Sequence, residues 1–393
     1  MPSLNVAHVI LWLTMIFSPC FSVTIDREGL PDTGLSTASW VSGTLPPLNS
    51  MWELNDFQIA AKNTLAARWY GTTASLDQVT YQANMNIWTK IRLNGYTFRD
   101  VSDVNLHTTI LGYNFTVPFF IAPAAYAGHT SNSAELSLAR AAGKIGALYV
   151  PSIDSTKTIE EIAEAGLANQ VMFHQEYVWS NRTLLRDDLR RIEDAGYKAI
   201  FLTVDNTGVN GIRIQAMRET GSLDSDSGHD ASFSAAALSD IQKLTSLPIV
   251  PKGIKTAADA KTCLDLGFKA IYVSNHGGRV LDNAPTAVEV LLDIHRQYPE
   301  VFEKMEVYAD GGVRNANHII TLLALGARAV GLGRSPMYAN IYGEDGVNRM
   351  FTLLRAELES SLKLLGEANI HQLRGDTSYV NTKQVELEYF GRD

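Results

Sequence analysis

The sequence Ser-Asn-His-Gly-Gly-Arg at 274–279 holds side chains suited to acid–base chemistry. The imidazole of His276 can take up a proton near neutral pH, and the guanidinium of Arg279 can bind a carboxylate through two parallel hydrogen bonds. Asp205 follows another apolar run, so we expect it to face His276 and stabilise the protonated ring. A purely structural histidine is the alternative interpretation. The combination indicates proton removal from a bound molecule that carries a carboxylate.

Lys252 ends the apolar run Pro-Ile-Val-Pro at 248–251. An unpaired lysine would be costly to bury there, because its charge loses hydration. A negatively charged partner, such as a reduced anionic flavin, would compensate that cost. A lysine that forms a Schiff base with a carbonyl substrate is the competing interpretation.

Two glycine-rich segments indicate a phosphate site. Asp-Gly-Gly-Val-Arg (310–314) and Gly-Leu-Gly-Arg (331–334) each place glycines and an arginine directly after an apolar run. Glycines let backbone N–H groups approach a phosphate, and arginines neutralise its charge. Turn glycines with surface arginines are the alternative for either motif alone. Their occurrence after the last two predicted strands favours the phosphate site.

These motifs follow apolar runs in a regular alternation of short apolar runs and amphipathic stretches. The apolar runs predict eight strands, at residues 118–122, 147–150, 171–173, 199–204, 248–250, 270–273, 306–309 and 329–332. Helices are predicted between most of them, at residues 134–143, 159–166, 184–196, 257–267, 287–297 and 315–326. Continuous apolar strands alternating with helices are typical of a parallel sheet buried on both faces. We therefore predict a (β/α)8 TIM barrel of the α/β class, with an open doubly wound sheet as the second possibility.

In such a barrel the reactive groups lie at the carboxyl ends of the strands. The polar side chains at these ends form one predicted ring: Ser152, Gln175, Tyr177, Thr203, Asp205, Lys252, Ser274, Asn275, His276, Asp310 and Arg334. A ring of this kind around one mouth indicates a site for a small molecule. The long connection at 206–245 is predicted to be a lid loop over that mouth.

The ends of the chain are predicted to lie outside the barrel. Residues 1–22 predict a secretory signal peptide, too short to span a bilayer comfortably. An uncleaved segment that keeps the chain at a membrane is the alternative, because no Lys or Arg precedes the apolar run. Residues 23–54 predict an extended arm, 55–370 the main domain with helices at 55–69 and 346–365, and 371–393 a C-terminal tail.

Composition excludes several classes of partner and site. The formal net charge of −9 leaves no broad basic surface for nucleic acid. Of the two cysteines, Cys20 would leave with the signal peptide and Cys263 reads as a packed thiol, so no internal disulfide is expected. No Cys/His spacing indicates a metal site. The Asn-x-Thr sequences at Asn114 and Asn181 would become glycosylation sites in the secretory pathway.

The motifs together resemble the FMN-dependent 2-hydroxy-acid oxidases and dehydrogenases, the family of glycolate oxidase, lactate oxidase and the flavin domain of flavocytochrome b2. They comprise Leu-Thr-Val-Asp (202–205), Pro-Ile-Val-Pro-Lys-Gly (248–253) and the three glycine-containing motifs above. The resemblance implies FMN as cofactor, oxidation of a 2-hydroxy acid to the 2-oxo acid, and a homotetramer. Because no haem or nicotinamide module accompanies the predicted barrel, molecular oxygen is the expected electron acceptor.

The resemblance also assigns roles by position. The FMN-binding residues would be Ala124, Ser152, Gln175, Thr203, Lys252, Ser274, Asp310, Gly312, Arg314, Gly333 and Arg334. His276 would be the catalytic base and Asp205 its partner. The substrate would contact Arg279, Tyr177, Arg213 and Trp69.

Three positions depart from the family's usual pattern. Trp69 stands where a substrate-binding tyrosine is usual, and Ala124 replaces a threonine. One inserted residue after Asp205 is needed to align Arg213 as a second carboxylate ligand. These departures leave flavin binding and proton removal in place. They favour an alternative substrate, which is a bulkier alcohol or hydroxy-acid-like intermediate of a biosynthetic pathway.

Overall fold

The structure is a computed structural model that describes residues 30–65, 74–206, 212–214, 217 and 228–391. Its strands are β1 (Arg92–Leu93), β2 (Thr108–Ile110), β3 (Tyr113–Phe115), β4 (Phe119–Ile121), β5 (His174–Tyr177), β6 (Ile200–Thr203), β7 (Ile249–Ile254), β8 (Ala270–Val273), β9 (Glu306–Ala309), β10 (Ala329–Leu332) and β11 (Val380–Asn381). Its α-helices are α1 (Leu54–Thr64), α2 (Val79–Asn86), α3 (Ala134–Ile145), α4 (Ile159–Ala165), α5 (Arg182–Asp194), α6 (Ala235–Ile241), α7 (Ala257–Asp265), α8 (Ala287–Gln297), α9 (Glu300–Lys304), α10 (Ala316–Ala324), α11 (Arg334–Ala339), α12 (Gly343–Leu365), α13 (Ile370–Leu373) and α14 (Lys383–Tyr389).

A seven-stranded parallel sheet lies at the centre, in the spatial order β4-β10-β9-β8-β7-β6-β5. Every residue of β8 and of β10 is buried. That burial is expected of a parallel sheet covered on both faces. The predicted α/β class with a parallel sheet is therefore confirmed.

The segment predicted as a second strand at 147–150 joins the sheet only through isolated bridges. Tyr149 makes parallel bridges with Ile121, at the end of β4, and with Met172, just before β5. The Ile121 N–H donates to the Leu148 carbonyl at 3.0 Å, and the Phe173 N–H to the Tyr149 carbonyl at 3.2 Å. The segment thus lies between the two outer strands of the sheet and contacts both.

Aromatic side chains fill the space enclosed by the strands. The rings of Phe120 and Tyr272 lie 5.5 Å apart, and those of Phe201 and Tyr308 stack at 5.7 Å. Gly331 makes room for this cluster, because a Cβ atom there would lie 1.9 Å from the Tyr272 hydroxyl. A second, larger apolar cluster packs the helices onto the outer side of the strands. This double packing fixes the strand ends that carry the site.

Two predicted strands occupy different bounds in the structure. The third was predicted at 171–173, but the ladder with β6 runs from His174 to Tyr177. His174 and Glu176 are polar yet fully buried, so hydropathy could not indicate this strand. The fifth was predicted at 248–250, and β7 continues to Ile254. Gln175, Tyr177 and Lys252 therefore lie within strands rather than beyond them.

Several predicted helices end at turns that their sequences encode. Thr158 and Thr286 form capping boxes at the starts of α4 and α8, with Glu161 and Glu289. Gly146 ends α3 in the left-handed region, at a φ of 70°. Throughout the described ranges, no helix is both long and apolar enough to cross a membrane.

The segments outside the central repeats carry more structure than predicted. The connection at 206–245 is not all loop, because it contains α6, which Ser234 caps. The C-terminal segment is not a plain tail either, since β11 pairs antiparallel with β1 and α14 follows it. The predicted signal peptide, Trp69 and most of 207–227 lie outside the described residues.

Candidate active site

A cavity of about 450 Å³ opens at the carboxyl ends of the strands. Most of the predicted site residues line it: Ala124, Ser152, Gln175, Tyr177, Thr203, Arg213, Lys252, His276, Arg279, Asp310, Gly312, Arg314, Gly333 and Arg334. Asp205 and Ser274 lie behind this lining, in contact with His276. Trp69 is outside the described residues, so its predicted contact stays a prediction.

A row of hydrogen bonds crosses the floor of the cavity. The Ser152 hydroxyl donates to Gln175 Oε1 at 2.8 Å, and Gln175 Nε2 donates to Thr203 Oγ1 at 3.0 Å. All three side chains are buried. Parallel pairing brings them together, because Ser152 is bridged to Gln175 and Thr203 pairs with Tyr177, two residues beyond Gln175 on β5. The row presents fixed donors and acceptors to a planar polar ligand.

Lys252 brings a positive charge to the next strand. Its side chain is buried in β7, with Nζ 5.4 Å from the centre of the Tyr272 ring. The lysine also stabilises the ionised forms of two nearby carboxylates, since it lowers the pKa of Asp205 and opposes the rise in the pKa of Asp310. Lys252 is therefore placed to favour negative charge in the cavity.

His276 and Asp205 form a dyad at one side of the cavity. Nδ1 of His276 lies 3.0 Å from Oδ1 of Asp205, whose side chain is fully buried, whereas 20% of the His276 side chain is accessible. Gly253 leaves the space for Asp205, because a Cβ atom there would lie 2.3 Å from the Asp205 Cγ. Ser274 accepts the backbone N–H of His276 at 3.1 Å and fixes the turn. Only Nε2 of the ring is left to face a ligand.

The dyad combines a neutral imidazole with a carboxylate at neutral pH. Burial lowers the pKa of His276 to about 4, with Lys252 and Arg279 adding to the effect and Asp205 opposing it. Burial alone would raise the pKa of Asp205, but His276 and Lys252 outweigh it and lower that pKa to about 2. A neutral ring held by a carboxylate at Nδ1 carries its lone pair on Nε2, as a general base requires.

Three arginines converge on the cavity beside the dyad. Burial lowers the pKa of Arg279 to about 9, and the positive charges of Arg213 and Arg334 contribute. Burial likewise lowers the pKa of Arg213. Within the described ranges, Nε of Arg213 and of Arg334 is buried without a hydrogen-bond partner. Such a cluster favours an anionic ligand, whose charge would relieve the mutual repulsion.

Aromatic side chains close the cavity beyond β5. The Tyr177 ring stacks on His229 with centroids 4.2 Å apart, and Trp179 packs against His229 at 4.9 Å. Trp179 is held by Glu176, which accepts its indole N–H at 2.8 Å. An isolated antiparallel bridge joins Trp179 to His229. The chain that returns from the predicted lid is thereby fastened to the cavity wall.

The two predicted phosphate motifs lie together in the cavity lining. Arg314 is buried and donates to Ser335 and to Gln58, each at 3.1 Å, while its Nε has no hydrogen-bond partner among the described residues. Arg334 donates to the Gly277 carbonyl at 3.1 Å. At Gly333 a Cβ atom would meet nothing within 4 Å, so open space adjoins this backbone. These features are what a phosphate cradle needs.

Helix α2 supplies a wall that the sequence motifs did not indicate. Tyr81, Asn84 and Met85 line the cavity. The side-chain amides of Asn84 and Asn275 exchange hydrogen bonds of 2.8 Å in both directions. At Gly312 a Cβ atom would lie 1.9 Å from the Asn84 carbonyl oxygen, so glycine is required for this approach. No local signal in α2 could have revealed the pairing, because its partners lie far along the chain.

Asp154 is a second residue that motif analysis missed. It lines the cavity two residues beyond Ser152, near Tyr177 and Arg213. Its position just after a predicted strand end was the available signal. No group of three or more potential metal ligands occurs in the ranges that the structure describes.

The chain belongs to the FMN-dependent dehydrogenase family, whose sequence model matches residues 61–228 and 222–381. It is 32% identical over 369 residues to the L-lactate dehydrogenase (cytochrome) of Wickerhamomyces anomalus, covering 87% of this chain and 64% of that protein. It is 33% identical to glycolate oxidase 3 of Oryza sativa subsp. indica, covering 81% of this chain and 94% of the relative. The resemblance predicted from the motifs is thus confirmed, and FMN is the cofactor of the family.

Solved structures of two relatives share the fold. The recombinant flavin-binding domain of baker's yeast flavocytochrome b2 superposes with a TM-score of 0.83 at 32% identity, over 87% of this chain and 89% of that chain. Mandelate oxidase with (S)-2-phenylpropionate superposes with a TM-score of 0.76 at 31% identity, over 84% of this chain and 98% of that chain. Both identities and scores are high enough to carry the family assignment as well as the fold.

Proposed function

We propose that this chain oxidises a 2-hydroxy acid to the corresponding 2-oxo acid, with FMN as cofactor and molecular oxygen as electron acceptor. The observation that carries the proposal is the His276–Asp205 dyad beside Arg279 in one cavity. The substrate loses two electrons and two protons, and oxygen takes them up to give hydrogen peroxide. Relatives named as oxidases support oxygen as acceptor, since the glycolate oxidase is matched over 94% of its length.

The residues of the cavity fit FMN. Among the described residues, the buried Nε atoms of Arg314 and Arg334 have no hydrogen-bond partner, and open space adjoins Gly333 next to Arg334, which suits a phosphate. The row of Ser152, Gln175 and Thr203 suits the polar edge of the ring system. When bound, FMN supplies an acceptor for two electrons. Lys252 would favour negative charge on a ligand held in the cavity.

The remaining residues act on the substrate. Arg279, assisted by Arg213, binds the carboxylate of the 2-hydroxy acid and leaves its carbinol carbon facing the dyad. Nε2 of His276 takes the proton that the carbinol group releases, and Asp205 stabilises the imidazolium that forms. Tyr177 lies on the same wall, so its hydroxyl is available to the substrate oxygens. These positions support His276 as the catalytic base and Asp205 as its positioning partner.

The test is an anaerobic visible spectrum of the FMN-loaded protein during titration with a panel of 2-hydroxy acids. Bleaching of the oxidised-flavin band by one acid, followed by recovery and peroxide formation on admitting oxygen, is the expected result. Bleaching without reoxidation by oxygen would refute oxygen as the electron acceptor but leave the oxidation of a 2-hydroxy acid in place. A flavin that no hydroxy acid bleaches would overturn the reaction. His276→Ala should bind FMN yet fail to bleach.

A second candidate is the same chemistry on a bulkier alcohol or hydroxy-acid-like intermediate of a biosynthetic pathway. Ala124 supports it, because this small side chain lines the cavity where the family usually has a threonine. Including large, weakly acidic alcohols in the same titration separates the two candidates, since each predicts bleaching by a different part of the panel.

We further propose three properties of the whole molecule. The sheet closes as an eightfold barrel, supported by the bridges of Tyr149 to both outer strands. The chain enters the secretory pathway, which the exposed sequon residues Asn114 and Asn181 support. A shift in electrophoretic mobility after glycosidase treatment of protein isolated from its natural source tests this. The chain assembles as a homotetramer, which light scattering tests.

A further inference from the structure

Asp154 is a carboxylate of the cavity wall that the proposed reaction does not use. Its backbone is fixed from three sides: Asp154 N–H donates to Ser152 Oγ at 3.2 Å, Ile153 N–H to the Gln175 carbonyl at 3.1 Å, and Tyr126 N–H to the Asp154 carbonyl at 3.1 Å. The side chain is half-buried and faces the cavity. Its place is therefore set by the strand ends rather than by a mobile loop.

The carboxylate of Asp154 has no hydrogen-bond or ion-pair partner among the described residues. The other acids near the cavity are engaged, since Asp310 accepts from the Tyr272 hydroxyl at 2.9 Å and Asp205 holds His276. Burial raises the pKa of Asp154, and Arg213 opposes that rise. A partly desolvated carboxylate without a donor costs stability that a bound donor would recover.

Asp154 lines the same cavity as the proposed reacting groups His276 and Arg279. Both Asp154 and Arg279 are close enough to Tyr177 for their charges to influence its ionisation. A substrate whose carboxylate is held by Arg279 would occupy the cavity that Tyr177 and Asp154 also line. The aromatic pair Trp179 and His229 lines this cavity too and would pack against the carbon chain.

We propose that Asp154 is a specificity-determining residue that accepts a hydrogen bond from a hydroxyl or ammonium group on the substrate, remote from its carboxylate. The inference rests on the proposed function and names its substrate class: 2-hydroxy acids with a polar donor at the far end. Acids with a purely hydrocarbon end leave Asp154 unpaired and react poorly. Acids with a second carboxylate meet a like charge.

The experiment compares matched acids on the FMN-loaded protein. The six-carbon set is 2-hydroxyhexanoate, 2,6-dihydroxyhexanoate and 6-amino-2-hydroxyhexanoate, and lactate, 2,3-dihydroxypropanoate and 3-amino-2-hydroxypropanoate form the three-carbon set. Because a hydrogen bond to a charged group strengthens binding, we expect kcat/KM to be about 10- to 100-fold higher for a donor-bearing acid than for its apolar counterpart in one of the sets. Dissociation constants of the unreactive hexanoate, 6-hydroxyhexanoate and 6-aminohexanoate, from perturbation of the flavin spectrum, give a readout independent of turnover.

Variants identify the group that carries the preference. Asp154→Leu should abolish or invert it, and Asp154→Asn should keep a preference for the hydroxyl but lose one for the ammonium group. Glu164→Gln, which removes an exposed carboxylate of α4, is the control and should change nothing. Wild-type protein that reacts equally with all members of both sets overturns the inference. An equal decrease in kcat/KM for every acid in Asp154→Leu also overturns the inference, because it would assign Asp154 to positioning Arg213. If no acid bleaches the flavin, the proposed function itself fails.

Discussion

Replacement of Asp205 by Asn tests the proposed mechanism most directly. The change removes one charge and nearly preserves shape, in a space that Gly253 keeps open. The amide cannot stabilise a protonated His276 as the carboxylate does, because it carries no negative charge. We therefore expect Asp205→Asn to slow proton removal while FMN and carboxylate binding remain.

The magnitude follows from the geometry of the pair. His276 Nδ1 and Asp205 Oδ1 are 3.0 Å apart, with the carboxylate fully buried. At an effective dielectric constant of about 20, two unit charges at this distance attract by about 5.5 kcal/mol. If about half of the charge has developed in the transition state, the loss is about 3 kcal/mol, or roughly 100-fold in rate. Full charge development would give about 10⁴-fold, so we expect a decrease between these limits.

Anaerobic stopped-flow measurement of flavin bleaching gives the rate of the chemical step without reoxidation. The affinity for FMN and for an unreactive carboxylate should stay within about threefold of the parent, because Asp205 lies behind the cavity lining. Asp240→Asn, at an exposed carboxylate of α6, is the matched control. A loss of less than tenfold in the bleaching rate would refute the role given to Asp205.

Four further predictions concern residues around the dyad and the phosphate motifs. Gly253→Ala should lower the bleaching rate and the melting temperature together, because the new Cβ would lie 2.3 Å from the Asp205 Cγ; rates and thermal melts of the same preparation check this. Since His276 has a pKa lowered to about 4, its basic form persists well below pH 6.5, and kcat/KM should fall only as pH drops through about 4 to 5; a pH profile with an acidic limb at 6 to 7 would contradict this. The stability contributed by burying neutral His276 should be present above pH 6.5 and be lost as pH falls towards 4, which urea unfolding at several pH values measures. Gly312→Ala should weaken FMN binding by at least tenfold, because its Cβ would lie 1.9 Å from the Asn84 carbonyl oxygen and displace the predicted phosphate loop; unchanged FMN affinity would be the contrary result.

The order of elements and the chemistry of the strand ends could be predicted from the sequence. Strands β8, β9 and β10 occupy the predicted bounds because each is a short apolar run between turn residues. The side chains that follow such runs are positioned by local chain direction alone. For this reason the sequence predicts His276 and Arg334 at the mouth of the cavity.

Local patterns were insufficient where burial and polarity conflict. Strand β5 contains the buried polar residues His174 and Glu176, so hydropathy predicts the strand in the apolar run that precedes it. The segment around Tyr149 has the expected apolar character but makes only isolated bridges. Hydropathy records the average environment of a segment, whereas strand bounds depend on which backbone groups find partners.

The contacts that make the site work were decided by the tertiary structure. Asp205 reaches His276 across 71 residues, and Asn84 pairs with Asn275 across 191. Such distances depend on sheet register and on the turns between elements, to which each residue contributes only a small, non-local part. The role proposed for Asp154 likewise depends on tertiary structure, because only the packed strand ends show that none of the described residues donates a hydrogen bond to its carboxylate. The sequence alone determined which chemical groups this protein has, and the tertiary structure decided which of them meet, because these meetings are fixed by packing between distant segments.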